Sequence, residues 1–288
     1  MTRLAGLEPW LARCHFPKSG LFVCGVSGGA DSVAMLALSV AAGLDAEAVH
    51  VDHGQRAASE AELVAGVAAE LGASFRSERV QVEPGSNLEA RMRAARYAAL
   101  GPHAATGHTA DDQAETMLIN LMRGAGLPGL GAMQPGVRRP ILDLRRADTE
   151  AICEKLEFAP FHDPTNTEAR FVRNRVRHEL MPLLNNIADR DVVPLFTRTS
   201  QHVREAVAIV DDLAAELDPT DAKQIAAANP QVAGVALRRW LQEQTRSEYP
   251  VDAASIERVL DVAAGNSLAA EVTGGHRVDR SNQRLRVQ

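Results

Sequence analysis

The chain has 288 residues, 45% of them apolar and 24% charged, with a formal net charge of −6. That length suits one large domain plus a smaller one, and the composition excludes a disordered or low-complexity chain. The acidic balance gives no global nucleic-acid signature, and no apolar run reaches membrane-spanning length.

The first residues lack the basic-then-apolar layout of a signal peptide, and Cys14, Cys24 and Cys153 form no C-x-x-C pair. Reduced thiols and a cytoplasmic home are therefore expected. Residues 2–16 predict a short helix with Leu4, Leu7, Trp10 and Leu11 on one side. Residues 21–26 read as a buried strand that breaks into Ser27-Gly28-Gly29, and an apolar helical pattern starts near Asp31. Glycines between a strand and a helix let the backbone curl around a ligand, and the helix start offers unpaired N–H groups to phosphate.

Three readings of this loop compete. The Walker A spacing and its lysine are absent. Gly25, Ser27 and Gly29 match the G-x-S-x-G nucleophile elbow, but only 20 residues precede Leu21, too few for the earlier strands that an α/β-hydrolase needs. The third reading is a phosphate cradle on a parallel α/β sheet.

A second strand, from residue 46, ends at Asp52-His53-Gly54. Ligands of open α/β sheets sit beyond the carboxyl ends of strands, so Asp52 and His53 are candidates for a nucleotide site. Residues 59–71 predict an amphipathic helix with a Ser59/Glu62 capping box, residues 75–82 a third strand, and residues 88–100 a helix capped by Asn87. That helix carries Arg91, Arg93 and Arg96, which suit either anion binding or a Glu89–Arg93 ion pair.

A short strand over residues 104–108 runs into a helix on which His108, Asp111 or Asp112, and Glu115 share one face. Carboxylates there could hold Mg²⁺ beside a triphosphate, or an ammonium group. Gly124, Gly126 and Gly129 form a G-x-G-x-x-G that follows a helix and encloses Pro128, so it fails the dinucleotide context and predicts a loop beside the site. A strand over 139–144 and a helix over 149–156, with Asp148 as its cap, complete the α/β domain.

Beyond a turn-rich break, Arg170, Arg173 and Arg177 follow helical spacing along one face, a stripe suited to a phosphate backbone. From about residue 191 the character changes. Helical patterns at 192–217, 222–244 and 253–264 precede a Gly274-Gly275 turn between strands at 269–273 and 284–287. The expected organisation is a catalytic domain over 1–190 and a smaller helical domain with a terminal β-hairpin over 191–288.

Ser27-Gly28-Gly29-Ala30-Asp31-Ser32 fits S-G-G-x-D-S. This resembles the PP-loop of the N-type ATP pyrophosphatases, whose Rossmann-like domains cleave ATP between the α and β phosphates. His50 to Gly54, Arg91 to Tyr97, Gly107-His108 with Asp111 to Thr116, and Asp163 to Asn166 with Arg173, Asn174 and Arg177 follow in order. Together these motifs resemble the bacterial tRNA(Ile)-lysidine synthetases over roughly the first two-thirds of the chain.

The resemblance implies an α/β fold and ATP with Mg²⁺ as cofactors. The implied partners are tRNA(Ile) with a CAU anticodon and free L-lysine, with no membrane; a homodimer is admitted. It implies two steps: ATP adenylates the C2 oxygen of the wobble cytidine, and the lysine ε-amine then displaces AMP to give lysidine. It implies that Ser27, Gly28, Gly29, Ala30, Asp31, Ser32, Asp52, His53, Gly107 and His108 hold ATP. Asp31, Asp112 and Glu115 become the acidic centre, with Asp31 and Asp112 on Mg²⁺ and Asp112 or Glu115 as base. Arg91, Arg93, Arg96, Asp163, Asn166, Arg173, Asn174 and Arg177 face the tRNA or the reacting centre. Longer members carry a further C-terminal tRNA-binding domain, so tRNA contacts outside the catalytic domain are expected from residues 191–288.

The rivals are a 2-thiolation enzyme, which needs cysteines for sulfur relay or a cluster, and a non-catalytic nucleotide- or RNA-binding module. The intact acidic set argues against the latter.

Overall fold

In the computed structural model, residues 4–52, 59–82, 85, 88–161, 172–246, 251–272 and 274–288 are described. Strand β1 (Leu21–Gly25) is one of the two inner strands of a parallel sheet of order β3-β2-β1-β4, with β2 at Asp45–Asp52, β3 at Ser74–Arg79 and β4 at Ala105–Thr106. Parallel neighbours require crossover connections, which here are helices: α2 (Ala30–Ala41), α3 (Ser59–Leu71) and α4 (Leu88–Leu100). Ala-rich α2 is buried along nearly its whole length. It packs on the sheet and on α7 (Arg146–Lys155), so Met35, Leu36, Leu38, Ile152 and Leu156 share one core with Phe22 and Cys24.

Several elements differ from expectation. The N-terminal helix shrinks to α1 (Glu8–Leu11), with Leu7 buried beneath it. The strand expected over 139–144 is a run of turns with an isolated bridge between Gly136 and Arg139. Ile141, Leu142 and Leu144 are buried there, so apolar burial is met without strand pairing; Pro140 also lacks a ladder N–H. Helix α7 begins at Arg146, earlier than predicted, and Asp148 caps it by accepting from Arg145 N at 2.7 Å. The glycine-rich stretch after α5 (Ala110–Met122) closes into a short helix, α6 (Leu127–Leu130). The Ser59 side chain, the Glu89 side chain and Asn87 lie outside the described residues.

Arg170 lies outside the described residues; the rest of the arginine stripe folds as α8 (Val172–Arg175) and a π-helical turn (Val176–Leu180), followed by α9 (Met181–Ala188). Pro182 follows the π turn, and its missing N–H suits the widened hydrogen-bond register there.

The chain divides into two compact units, Met1–Gln201 and His202–Gln288, within α10 (Val193–Ala215). The second unit has its own core, including Ile225, Leu237, Leu241, Val259 and Leu285. The helical pattern over 222–244 is two helices, α11 (Ala222–Ala227) and α12 (Pro230–Thr245), because Asn229-Pro230 stops one and caps the next. Helix α13 (Ala253–Ala264) matches its predicted limits. The terminal hairpin is a three-stranded antiparallel sheet of β5 (Ala269–Val272), β6 (His276–Ser281) and β7 (Arg284–Val287). Its middle strand is rich in polar residues, which hid it from the apolar pattern.

Candidate active site

The loop between β1 and α2 is stapled from inside. Ser32 Oγ donates to Gly29 O at 2.9 Å and accepts from Ser27 N at 3.1 Å, so the short side chains hold the turn that aims the start of α2 outward. Gly28 has φ +84°, a conformation that favours glycine. Around Gly29 a Cβ would meet only Ser27 Oγ, at 3.8 Å, which leaves room for a phosphate oxygen. The chain crosses this loop closely at Gly107, where a Cβ would stand 2.7 Å from Asp31 O and 2.8 Å from Asp31 C. Only glycine allows β4 to end there.

A cavity of about 810 Å³ opens over these residues. Ser27, Gly29, Ala30, Asp31 and Ser32 form part of its wall, together with Gly107, His108, Asp112, Arg93, Arg96, Arg173 and Arg177. The fold thus gathers most of the sequence-predicted set into one place. Gly28 supports the loop from behind. Arg91, Asn174 and Asp52 do not line the cavity; Asp52 lies 3.9 Å from Arg79 Nε at the end of β2. His53, Asp163 and Asn166 lie outside the described residues. The loop predicted beside the site at 123–129 contributes nothing to the cavity wall, since α5 carries it away from its own N-terminus.

Asp31 and Asp112 face the cavity, as do Glu150 and Glu154 of α7. Asp31 is pushed up to about 6 by burial, with Asp112 adding to the rise while a hydrogen bond from Thr149 Oγ1, Arg146 and Arg177 oppose it. Asp112 is 7% exposed, and its Oδ2 accepts from Thr109 N at 3.0 Å and Thr109 Oγ1 at 3.2 Å. Burial alone would raise Asp112, but His108, Arg146, the Thr109 N–H and Arg173 outweigh it and hold this carboxyl below the usual range. Burial lowers His108 to about 4, so at neutral pH the ring is neutral and the arginines and the amide sustain that depression. His108 Nδ1 lies 2.8 Å from Thr106 Oγ1.

Glu115, 1% exposed, stands behind this pair and is not part of the cavity wall. Arg177 Nε donates to its Oε1 at 2.8 Å and Arg146 Nη2 at 3.2 Å, while Arg173 Nε lies 3.7 Å from Oε2. Arg173 also donates to Thr116 Oγ1 at 2.9 Å. Glu115 therefore engages three guanidiniums through its two oxygens. Asp111, one residue from Asp112, is turned away: Arg145 grips both its oxygens at 3.0 Å, Arg146 N donates at 2.8 Å, and Arg145 also pairs with Asp191.

Arg145, Arg146 and Thr149, at the start of α7, are absent from the sequence-derived set. Two adjacent arginines just before the predicted helix were the available signal, but their partners are Asp191 and the carboxylates of α5, and the partner of Thr149 is Asp31 on α2.

Among the described residues no group of three or more His, Cys, Asp or Glu is arranged to hold a metal ion. Mg²⁺ bound to a nucleotide commonly takes only one or two protein carboxylates and completes its shell with phosphates and water. Asp31 and Asp112 fit that need, since burial, with Asp112 adding to it, raises the Asp31 carboxyl in a way that a bound cation would relieve.

A profile of the PP-loop domain family matches residues 10–184. The chain is 42% identical over 262 residues to the tRNA(Ile)-lysidine synthase of Nocardia farcinica, covering 84% of this chain and 82% of the relative. It is 38% identical to that of Rhodococcus jostii, covering 81% and 76%. Among solved structures, the U34-tRNA thiolase NcsA from Methanococcus maripaludis superposes with a TM-score of 0.50 at 16% identity, over 71% of this chain and 78% of that one, a likeness of fold alone.

Proposed function

The chain belongs to the tRNA(Ile)-lysidine synthases of the PP-loop family, and on that premise we propose how its residues perform the reaction. It is an ATP-using ligase that joins lysine to C2 of the wobble cytidine of tRNA(Ile) with a CAU anticodon, releasing AMP and pyrophosphate. One observation carries this reading: the PP-loop, the Asp31–Asp112 pair and the arginines of α4 and α8 to α9 face a single cavity.

The N–H groups of residues 28–31 and the positive end of α2 receive the ATP phosphates. The internal Ser27–Ser32 staple sets these donors in place before ATP arrives, so little reorganisation is needed. Asp31 and Asp112 would hold Mg²⁺, which supplies neutralisation of charge on the phosphates. Cytosine C2–O is a poor leaving group until its oxygen is adenylated. The lysine ε-amine, with a reference pKa of about 10.4, must shed a proton to attack. Asp112 or Glu115 would accept that proton; Asp112 lines the cavity, whereas Glu115 lies behind it among arginines, which supports Asp112.

Arg93, Arg96, Arg173 and Arg177 surround the reacting groups with positive charge, and Arg177 with Arg146 sets the orientation of Asp112. Residues 202–288 are read as a tRNA-binding accessory unit. No helix among the described residues is long and apolar enough to cross a membrane, and a cytoplasmic setting is part of the proposal.

Nothing favours 2-thiolation. Burial pushes the Cys14, Cys24 and Cys153 thiols each up to about 12, far from the thiolate that sulfur relay needs.

The test supplies ATP, radiolabelled lysine and a tRNA(Ile) transcript carrying CAU. Lysine incorporation at the wobble cytidine is expected; an intact cytidine and no label would refute the reading. Asp112→Asn should abolish incorporation while the fold, followed by circular dichroism, persists. Unchanged turnover would remove Asp112 from the chemistry.

A further inference from the structure

Beside the cavity two arginines that the reaction leaves unused, Arg138 and Arg139, stand near the cavity-lining Arg93. Arg138 and Arg139 sit at the turn closed by the Gly136–Arg139 bridge, where Arg139 N donates to Gly136 O at 2.8 Å. That turn is sewn to the site: Thr106 N, at the end of β4, donates to Arg138 O at 3.0 Å, and Thr106 Oγ1 in turn holds His108. Across from it, Arg93 of α4 lies over the ring of Tyr97, 4.9 Å from its centroid.

Among the described residues, no carboxylate pairs with Arg93, Arg138 or Arg139. The Arg139 side chain makes one long hydrogen bond, Nη1 to Gln134 O at 3.4 Å, and its Nε is buried without a partner. Burial, with Arg138 and Arg93 adding their repulsion, lowers the Arg139 pKa while Tyr97 opposes the fall. Like charges gathered without a counter-charge are destabilising unless an anion joins them. By contrast, the arginines behind the site are each matched to Asp111, Asp112 or Glu115.

We propose that Arg138, Arg139 and Arg93 form a seat for backbone phosphates of the RNA strand flanking the nucleotide that enters the cavity. The inference rests on the reading of the chain as a tRNA-modifying ligase and adds to it a site on the Gly136–Arg139 turn. Phosphate could also come from ATP. Arg138 and Arg139, however, do not line the cavity that the PP-loop faces, so the phosphodiester is the source the geometry favours. Arg93 belongs to both walls and marks where the strand would pass inward.

The experiment uses the full chain with a tRNA(Ile) transcript, comparing wild type with Arg138→Gln, Arg139→Gln and Arg138→Lys. RNA affinity is measured across a salt series, ATP affinity is measured separately, and melting curves report the fold. Each Gln variant should weaken RNA binding roughly tenfold at low salt and reduce the slope of log affinity against log salt by about 1. ATP affinity should stay within about twofold, and Arg138→Lys should keep the slope. Unchanged RNA affinity and slope in a folded variant overturn the seat; so does a loss confined to ATP, which would hand these arginines to the nucleotide. Should Arg139→Gln fail to fold, Arg138→Gln decides alone. If wild type incorporates no lysine while the slopes fall as expected, the reaction reading fails and the seat stands. If wild type incorporates lysine and the slopes do not move, the reverse holds.

Discussion

Gly107 shows how much one residue can decide at this site. Its missing side chain lets the end of β4 lie against the carbonyl of Asp31, and Gly107→Ala would drive a Cβ into backbone that cannot yield. A loss of about 1–3 kcal/mol in stability is expected, together with weakened ATP binding; chemical denaturation and ATP titration check both. Asp31 offers a pH test. Its folded pKa of about 6 lies above the ordinary carboxylate value, so its contribution to stability is present below about pH 4 and is lost as pH rises through about 6. Asp31→Asn removes that titration. Without Mg²⁺ or ATP, the variant should therefore gain on wild type by roughly 2–3 kcal/mol between pH 4 and pH 7. A gap that does not change with pH would place Asp31 in a solvated setting. At this scale the PP-loop was legible because Ser27 to Ser32 are contiguous and serve one another. Thr149 was not, because the carboxylate it serves lies 118 positions away.

Among the elements, the helices of the second unit depend on local caps and can be perturbed without touching the cavity. Asp252 caps α13 by accepting from Ser255 N at 2.7 Å and Ser255 Oγ at 2.8 Å. Asp252→Ala should cost about 1 kcal/mol, seen as a lower melting temperature of the second unit, with ATP affinity untouched. Reduced ATP binding would show that the two units are more tightly coupled than their separate cores imply. Helices α3, α4 and α13 match their predicted spans, because the signals that start and stop them are local. Residues 139–144 misled because burial and strand pairing are different things: Ile141 and Leu144 fill the core from turns. The polar β6 misled in the opposite sense, being fixed by backbone pairing to both neighbours.

For the whole molecule, two cores imply two separable failures. Leu237 is fully buried in the second unit, and Leu237→Ala should cost about 2–5 kcal/mol there. Affinity for tRNA should then fall while ATP binding by residues 1–201 survives. Leu36→Ala, in the core under the PP-loop, should remove both. Equal loss of the two affinities in Leu237→Ala would count against the division of labour. Net charge is equally uninformative when summed. A −6 chain still gathers Arg93, Arg96, Arg146, Arg173 and Arg177 around the cavity and pairs Arg146 and Arg177 with Glu115.

The amino-acid sequence by itself determined the PP-loop, the parallel α/β class, the acidic face of α5 and the arginine stripe. Each is written in neighbouring residues or in a short period that needs no distant partner. Only the tertiary structure decided which carboxylates face the cavity and which are taken up by arginines. It turned Asp111 away to Arg145, buried Glu115 among Arg146, Arg173 and Arg177, and left Asp31 and Asp112 facing the cavity. The physical reason is that a carboxylate's role is set by the cations that reach it, and here those arrive from α7 and the α8–α9 segment, far along the chain.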